Sequence, residues 1–140
     1  MIETVKFSEL KIGDKGEVTK TITEEDINKF VEISGDDNPI HVDIEFAKNT
    51  PFKERIVHGM LVSSLISAVV GTKMPGPGSI WLDQTLRFLR PVKINDEITA
   101  TSEILIKIEE RRQVIVRTTC TNQRGEVVIE GQGIHKIINP

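Results

Sequence analysis

The sequence predicts an α+β fold in which a highly curved antiparallel sheet wraps around one long central helix. Three observations point there. Met60, Leu61, Ser64, Leu65, Ala68, Val69 and Gly71 describe a helix that is apolar nearly all round, and such a helix must be enclosed by other elements. Pro75-Gly76-Pro77-Gly78 then breaks the chain. Everything beyond is strand-like: Ser79 to Phe88, Glu97 to Ile108, Gln113 to Thr121 and Val127 to Ile138 each alternate or are rich in β-branched residues. With 140 residues and neither repeats nor low-complexity tracts, residues 1–140 read as one domain, large enough to bury a core without staples.

A first extended segment spans about Lys15 to Ile22. Thr23 then caps a helix whose third residue, Asp26, is acidic, and Ile22 and Ile27 can pack across that cap. Ile27, Phe30, Val31 and Ser34 recur at helical spacing, so the helix runs from about Glu24 to Ile33 and stops at Gly35. Asn38 precedes Pro39 and is pushed out of the α region, which predicts extended backbone at 38 and 39 and no secondary structure between Asp36 and His41. Asp43 to Asn49 fits a helical turn. Pro51-Phe52 opens the loop that leads into the long helix at Val57 to Met60. Lys93 to Glu97, Glu109 to Arg112 and Asn122 to Glu126 read as hairpin links. The result is a sheet of about five strands with an exposed edge, of the kind commonly managed by pairing with a second copy.

Composition excludes several functions. A formal net charge of -3, with no basic run interleaved with aromatics, argues against a nucleic-acid surface. Arg111-Arg112 follows Glu109-Glu110 and reads as a solvated hairpin tip. Charges at Glu3, Lys6, Glu9 and Lys11 interrupt any secretory signal, so a cytoplasmic location is expected. Ile56 to Gly71 contains His58 and three serines and falls short of the ~18 to 20 apolar residues of a membrane span. The single Cys120 rules out an internal disulfide, fits a reducing compartment, and sits in an apolar run where a small core residue is the ordinary role.

The richest stretch is Phe30 to Ala47, where Asp36 and His41 stand five residues apart around Gly35, Asn38 and Pro39. Ser-Gly-Asp-Asp-Asn-Pro also reads as a plain surface turn, because Gly, Asp, Asn and Pro each favour bends. Apolar flanks at Phe30, Val31, Ile33 and Ile40, with His41 directly after them, favour a paired acid/base site. Asn38 fits a role in shaping the bend through backbone bonds, with contact to water or to His41 as its second role and a place among the substrate-binding candidates. His58 heads an apolar helix, where a histidine is more often a structural hydrogen-bonding group than a catalyst. His41, His58 and His135 are scattered without ligand spacing such as H-x-x-x-H, so no metal is implied, and no phosphate-binding glycine loop is present.

These residues carry a resemblance. Phe30, Ile33-Ser34-Gly35-Asp36, Asn38-Pro39-Ile40-His41 and Ala47 resemble the hydratase motif of the MaoC-like (R)-specific enoyl-CoA hydratases, with Asp37 in its variable position. The likeness continues through Ile56-Val57-His58-Gly59-Met60-Leu61, Pro75 to Ile80, and Phe88-Leu89-Arg90-Pro91-Val92. It implies the hot dog fold, a homodimer, an acyl-CoA thioester substrate with no separate cofactor, and Asp36 and His41 as the catalytic pair, assisted by a serine of the central helix, Ser64.

Hydrating a trans-2-enoyl thioester needs water at C3, a proton at C2 and stabilisation of charge on the thioester oxygen. Asp36 and His41 at one water can supply both proton transfers from the same side, giving syn addition. Base and acid are not assigned within the pair, since a close carboxylate and imidazole exchange protons as a unit. The helix start near Val57 to Met60 offers free N–H groups, and Gly59 N–H is the expected oxyanion donor, worth roughly 3 to 4 kcal/mol, or ~100- to 1000-fold in rate. Met60, Leu61, Trp81 and Leu82 are candidates for an acyl slot. Arg87, Arg90 and Lys93 are candidates for coenzyme A phosphates. Ser64 equally fits close helix packing. Two other functions remain open: a dehydratase of 3-hydroxyacyl carrier-protein thioesters, and a binding module that holds acyl thioesters without turnover. The second has no need of Asp36 and His41.

Overall fold

The structure, a computed structural model, describes all residues from Met1 to Pro140. Chain order is β1 (Lys15–Thr21), α1 (Glu24–Ser34), α2 (Pro39–Val42), α3 (Ile44–Lys48), α4 (Gly59–Thr72), β2 (Ser79–Gln84), β3 (Arg87–Phe88), β4 (Glu97–Ile108), β5 (Gln113–Thr121) and β6 (Val127–Ile137). The strands form one antiparallel sheet in the order β1-β4-β5-β6-β2, with β3 also paired to β6.

Helix α4 lies against this sheet, and its Val62, Leu65, Ile66, Val69 and Val70 join Ile22, Ile98, Ala100, Cys120, Val128 and Ile129 in the main core. That is the hot dog arrangement of helix and curved sheet. A second apolar cluster, Phe7, Leu10, Ile104, Val114, Val116 and Ile137, closes the far end of the sheet. Cys120 is a buried core residue, and burial pushes its thiol up to about 12.

Helix α1 shows how local signals position the site. Thr23 Oγ1 accepts from Asp26 N–H and Asp26 Oδ2 accepts from Thr23 N–H, a reciprocal capping box. Ile22 and Ile27, on either side of it, are both buried. At the other end Gly35 takes φ 76°, the left-handed conformation that costs glycine little, and the chain turns into the Asp36 bend.

Four expectations are corrected. Asn38 is extended at ψ 126°, but Pro39 begins the short helix α2, so a helical turn rather than open bend carries His41. Asn38 Oδ1 accepts from Ile40 N–H and starts that turn, with Pro39 at its first position, where a missing N–H costs nothing. The segment Ser79 to Phe88 is two strands, because the register against β6 slips between Trp81 and Asp83 and pairing lapses before β3. Lys93 to Glu97 is a turn but not a hairpin: β3 pairs with β6, whereas β4 lies between β1 and β5. The sheet accordingly has six strands.

Candidate active site

Asp36 and His41 line one cavity of about 580 Å³, together with His58, Gly59, Met60, Phe88 and Arg90 among others. Its walls come from the bend after α1, from α2, from the start of α4 and from the segment 88–92. A carboxylate oxygen of Asp36 and one ring nitrogen from each of His41 and His58 lie within 4.8 Å of one another. Asp36 is exposed at the mouth, His41 half-buried and His58 buried.

Each group is held. Asp36 Oδ1 accepts from Asn38 N–H at 3.2 Å, which orients the carboxylate through the bend itself. His41 Nδ1–H donates to the Ile56 carbonyl at 2.8 Å, so that Nε2 is the nitrogen left for chemistry. His58 Nε2–H donates to the Asp36 carbonyl at 2.9 Å, the structural hydrogen-bonding role expected of it. Burial pushes His58 below the ordinary imidazole value. The nearby His41 adds to that effect, while the Asp36 backbone bond and the Asp36 charge oppose it.

The fold thus overturns the view that the histidines are scattered for His41 and His58, while His135 stands apart on β6. His41 and His58 stack with ring centroids 3.8 Å apart and 28° between planes. Ring nitrogens coordinate through lone pairs in the ring plane, and two stacked rings send those lone pairs side by side rather than to one point. The donor set therefore suits proton transfer better than an ion.

Gly59, Met60 and Leu61 begin α4, their N–H groups have no partner, and the His58 side chain does not cap them. Gly59 N–H is thus free at the cavity wall. The space above Gly59 belongs to a neighbour rather than to open solvent: a Cβ there would stand 2.6 Å from the Phe88 ring.

Of the other candidates, Met60 lines this cavity, and Asn38 lies outside its lining but shapes the bend. Ser64 is elsewhere. Its Oγ donates to the Leu61 carbonyl at 2.5 Å, and it lines a second cavity of about 540 Å³ between α4 and β2, with Ser63, Ser67, Trp81, Leu82 and Gln84. Met60 borders both cavities. Leu61 instead packs against the core. Arg90 reaches the first cavity and lies 3.7 Å from Glu126; Lys93 pairs with Glu54 at 3.4 Å; Arg87 is exposed on β3. Sequence reasoning missed Phe88 as the neighbour that requires a glycine at 59, and nothing in the local pattern of β3 signals it.

The MaoC like domain family matches residues 9–125 of the chain. The chain belongs to this family. It is 48% identical over 126 residues to the (R)-specific enoyl-CoA hydratase of Rhodospirillum rubrum, a match covering 90% of this chain and 87% of that one. It is 40% identical to the 3-hydroxybutyryl-CoA dehydratase of Methylorubrum extorquens, covering 97% and 86%. Among solved structures, the R-hydratase of Pseudomonas aeruginosa in its unliganded form superposes with a TM-score of 0.91 at 43% identity, covering 98% of this chain and 88% of that one. Within this MaoC-like hot dog domain, the first cavity is where the motif residues Asp36 and His41 meet. No helix of the domain is long and apolar enough to cross a membrane.

Proposed function

We propose that this MaoC-like protein is an (R)-specific enoyl-CoA hydratase, a hydro-lyase that adds water reversibly and syn to trans-2-enoyl-CoA, giving (R)-3-hydroxyacyl-CoA. The observation that carries this is the meeting of the Asp36 carboxylate and the His41 imidazole at one cavity beside the free Gly59 N–H. The relatives named hydratase and dehydratase support the same chemistry in its two directions.

Asp36 and His41 Nε2 hold one water between them. As its oxygen bonds to C3, its proton passes to the pair, the C2=C3 electrons move toward the thioester carbonyl, and Gly59 N–H receives the developing oxyanion. The pair then returns a proton to C2 on the face that water attacked. The Ile56 carbonyl on His41 Nδ1 supports Nε2 as the nitrogen that handles the proton. The reaction is redox-neutral and needs no cofactor beyond the coenzyme A of its substrate. Arg90 at the cavity, with Arg87 nearby in sequence, supports contact with coenzyme A phosphates.

The enzyme works in the cytoplasm as a homodimer on this reading. Ile80, Trp81 and Leu82 on edge strand β2, with Phe88 of β3 and Leu89 just after it, are exposed apolar residues, and a hydrophobic edge of this kind is suited to a second copy. A mass in solution near twice 15.7 kDa is the expected result by light scattering.

The deciding assay follows loss of enoyl absorbance on crotonyl-CoA, then oxidation of the product by (R)- and (S)-specific 3-hydroxyacyl-CoA dehydrogenases. Absorbance loss with product oxidised by the (R)-specific enzyme is expected. Inertness toward crotonyl-CoA and longer trans-2-enoyl-CoA thioesters would reject a coenzyme A hydratase in favour of a carrier-protein dehydratase or a binding module.

A further inference from the structure

His58 touches both members of the pair. It stands at the N-cap of α4, yet its side chain gives no cap bond to that helix. Its ring sits instead against Phe30 of α1, at 4.8 Å and 57°, and against His41 of α2, at 3.8 Å and 28°. Its Nε2–H meanwhile holds the Asp36 carbonyl at 2.9 Å.

The bend has little else to hold it. Asp36 N–H donates to Ser34 Oγ at 3.1 Å, Asn38 N–H to Asp36 Oδ1 at 3.2 Å and Asp37 N–H to the Gly35 carbonyl at 3.1 Å, all within the same exposed stretch. From Gly35 to Asn38, the bond to His58 is the one hydrogen bond to a residue beyond His41. A group that is only 2 % exposed therefore anchors an otherwise self-supporting surface loop to the core.

Chemistry keeps that anchor in one form. Nε2–H is committed to the carbonyl, and Nδ1 is buried with no partner, so a second proton would bury an unpaired N–H together with a charge. The titratable groups facing the ring are Asp36 and His41; α1 presents only the Phe30 ring. His58 can thus hold both groups without competing for the proton they exchange.

We propose that His58 is a positioning residue: its ring and its bond to the Asp36 carbonyl set the Asp36 carboxylate and the plane of the His41 imidazole so that both face the same water. This rests on Asp36 and His41 being the reacting pair.

Three variants test it on crotonyl-CoA: His58→Phe keeps a stacking ring and loses the donor, His58→Gln keeps a donor and loses the ring, and Asp36→Asn/His58→Phe combines losses. Misplacement of a reacting group by about 1 Å can cost ~100-fold, so His58→Phe should lower kcat by roughly 10- to 100-fold with KM within about threefold. His58→Gln should recover part of that loss. In the Asp36→Asn background His58→Phe should cost little more, because a residue that acts through Asp36 has nothing left to place. Wild-type kcat in both single variants, or losses that multiply in the double variant, would overturn the proposal. A crystal structure of His58→Phe separates this from the activity assignment: an Asp36 bend displaced from His41 supports the anchor, and a bend left in place refutes it whatever the wild-type activity.

Discussion

The indole of Trp81 lies nearly parallel to the imidazole of His135, 10° between planes and 5.9 Å between ring centroids. His135 sits on β6 between Trp81 of β2 and Val114 of β5, is buried, and neither of its ring nitrogens has a partner. Burial pushes it down to about 4. The unfolded chain takes up this proton near pH 6.5 and the folded chain does not, so stability is full above about pH 6.5 and falls as pH drops toward 4. The loss over that window approaches about 3 kcal/mol on the linkage of ~1.4 kcal/mol per unit. Urea melts from pH 8 to pH 4.5 should show the decline, and His135→Phe should flatten part of it; an unchanged slope would remove His135 as its source.

Asp36→Asn and His41→Gln should each lower turnover of crotonyl-CoA by ~100-fold or more, the usual scale of general acid/base catalysis. Folding should survive both. Asp36 is exposed, Asn can still accept from the Asn38 N–H, and Gln can still donate to the Ile56 carbonyl. Near-normal rates in either variant, with unchanged melting, would remove that residue from the chemistry.

Gly59→Ala should act through Phe88. The added Cβ would meet two atoms of the Phe88 ring at 2.6 and 2.7 Å, so the exposed ring must leave its present place in the wall of the cavity that both residues line. An exposed ring can turn aside, so the stability cost should stay at the low end of overpacking, on the order of 1 kcal/mol, while substrate binding weakens because the ring lines the cavity. Phe88→Ala in the same chain should recover KM. If the double variant binds no better than Gly59→Ala, the obstruction lies elsewhere.

Gly131→Ala tests how β2 and β3 are held. A Cβ at 131 would collide with the backbone carbonyl of Thr85, which cannot move aside as a flexible side chain could. Gly131 and Gly133 leave room for the Gln84 side chain, whose Nε2 donates to Thr118 Oγ1 at 2.8 Å while its Oε1 accepts from Trp81 Nε1–H at 3.1 Å. A loss of about 3 kcal/mol, the upper part of the overpacking range, is expected in the urea midpoint. An unchanged midpoint would mean that the Thr85 carbonyl, in the link between β2 and β3, shifts freely.

Much of the fold was legible because its signals are local. Thr23 and Asp26 satisfy each other three residues apart, Gly35 ends α1, and β4 and β5 occupy the ranges that alternation and turn residues predicted. The helical turn at Pro39 was missed because Asn38 alone meets the restriction before proline, while proline itself is well suited to begin a helix. The break between β2 and β3 was missed because period-2 alternation continues through a register slip that only β6 reveals.

The sequence by itself determined most of the elements, among them β1, α1, the apolar helix α4, β4 and β5, and it set Asp36 and His41 five residues apart just after α1. Residues within a few positions of one another set those features. Tertiary structure alone decided that His58, 17 residues after His41, lies flat against its ring and bonds the Asp36 carbonyl. It likewise decided that Phe88 occupies the space a side chain at Gly59 would need, that Ser64 faces a different cavity, and that β3 joins β6 rather than β4. Periodicity reports which face of an element is apolar; which element covers that face depends on packing between distant segments, and that packing set the geometry of the candidate site.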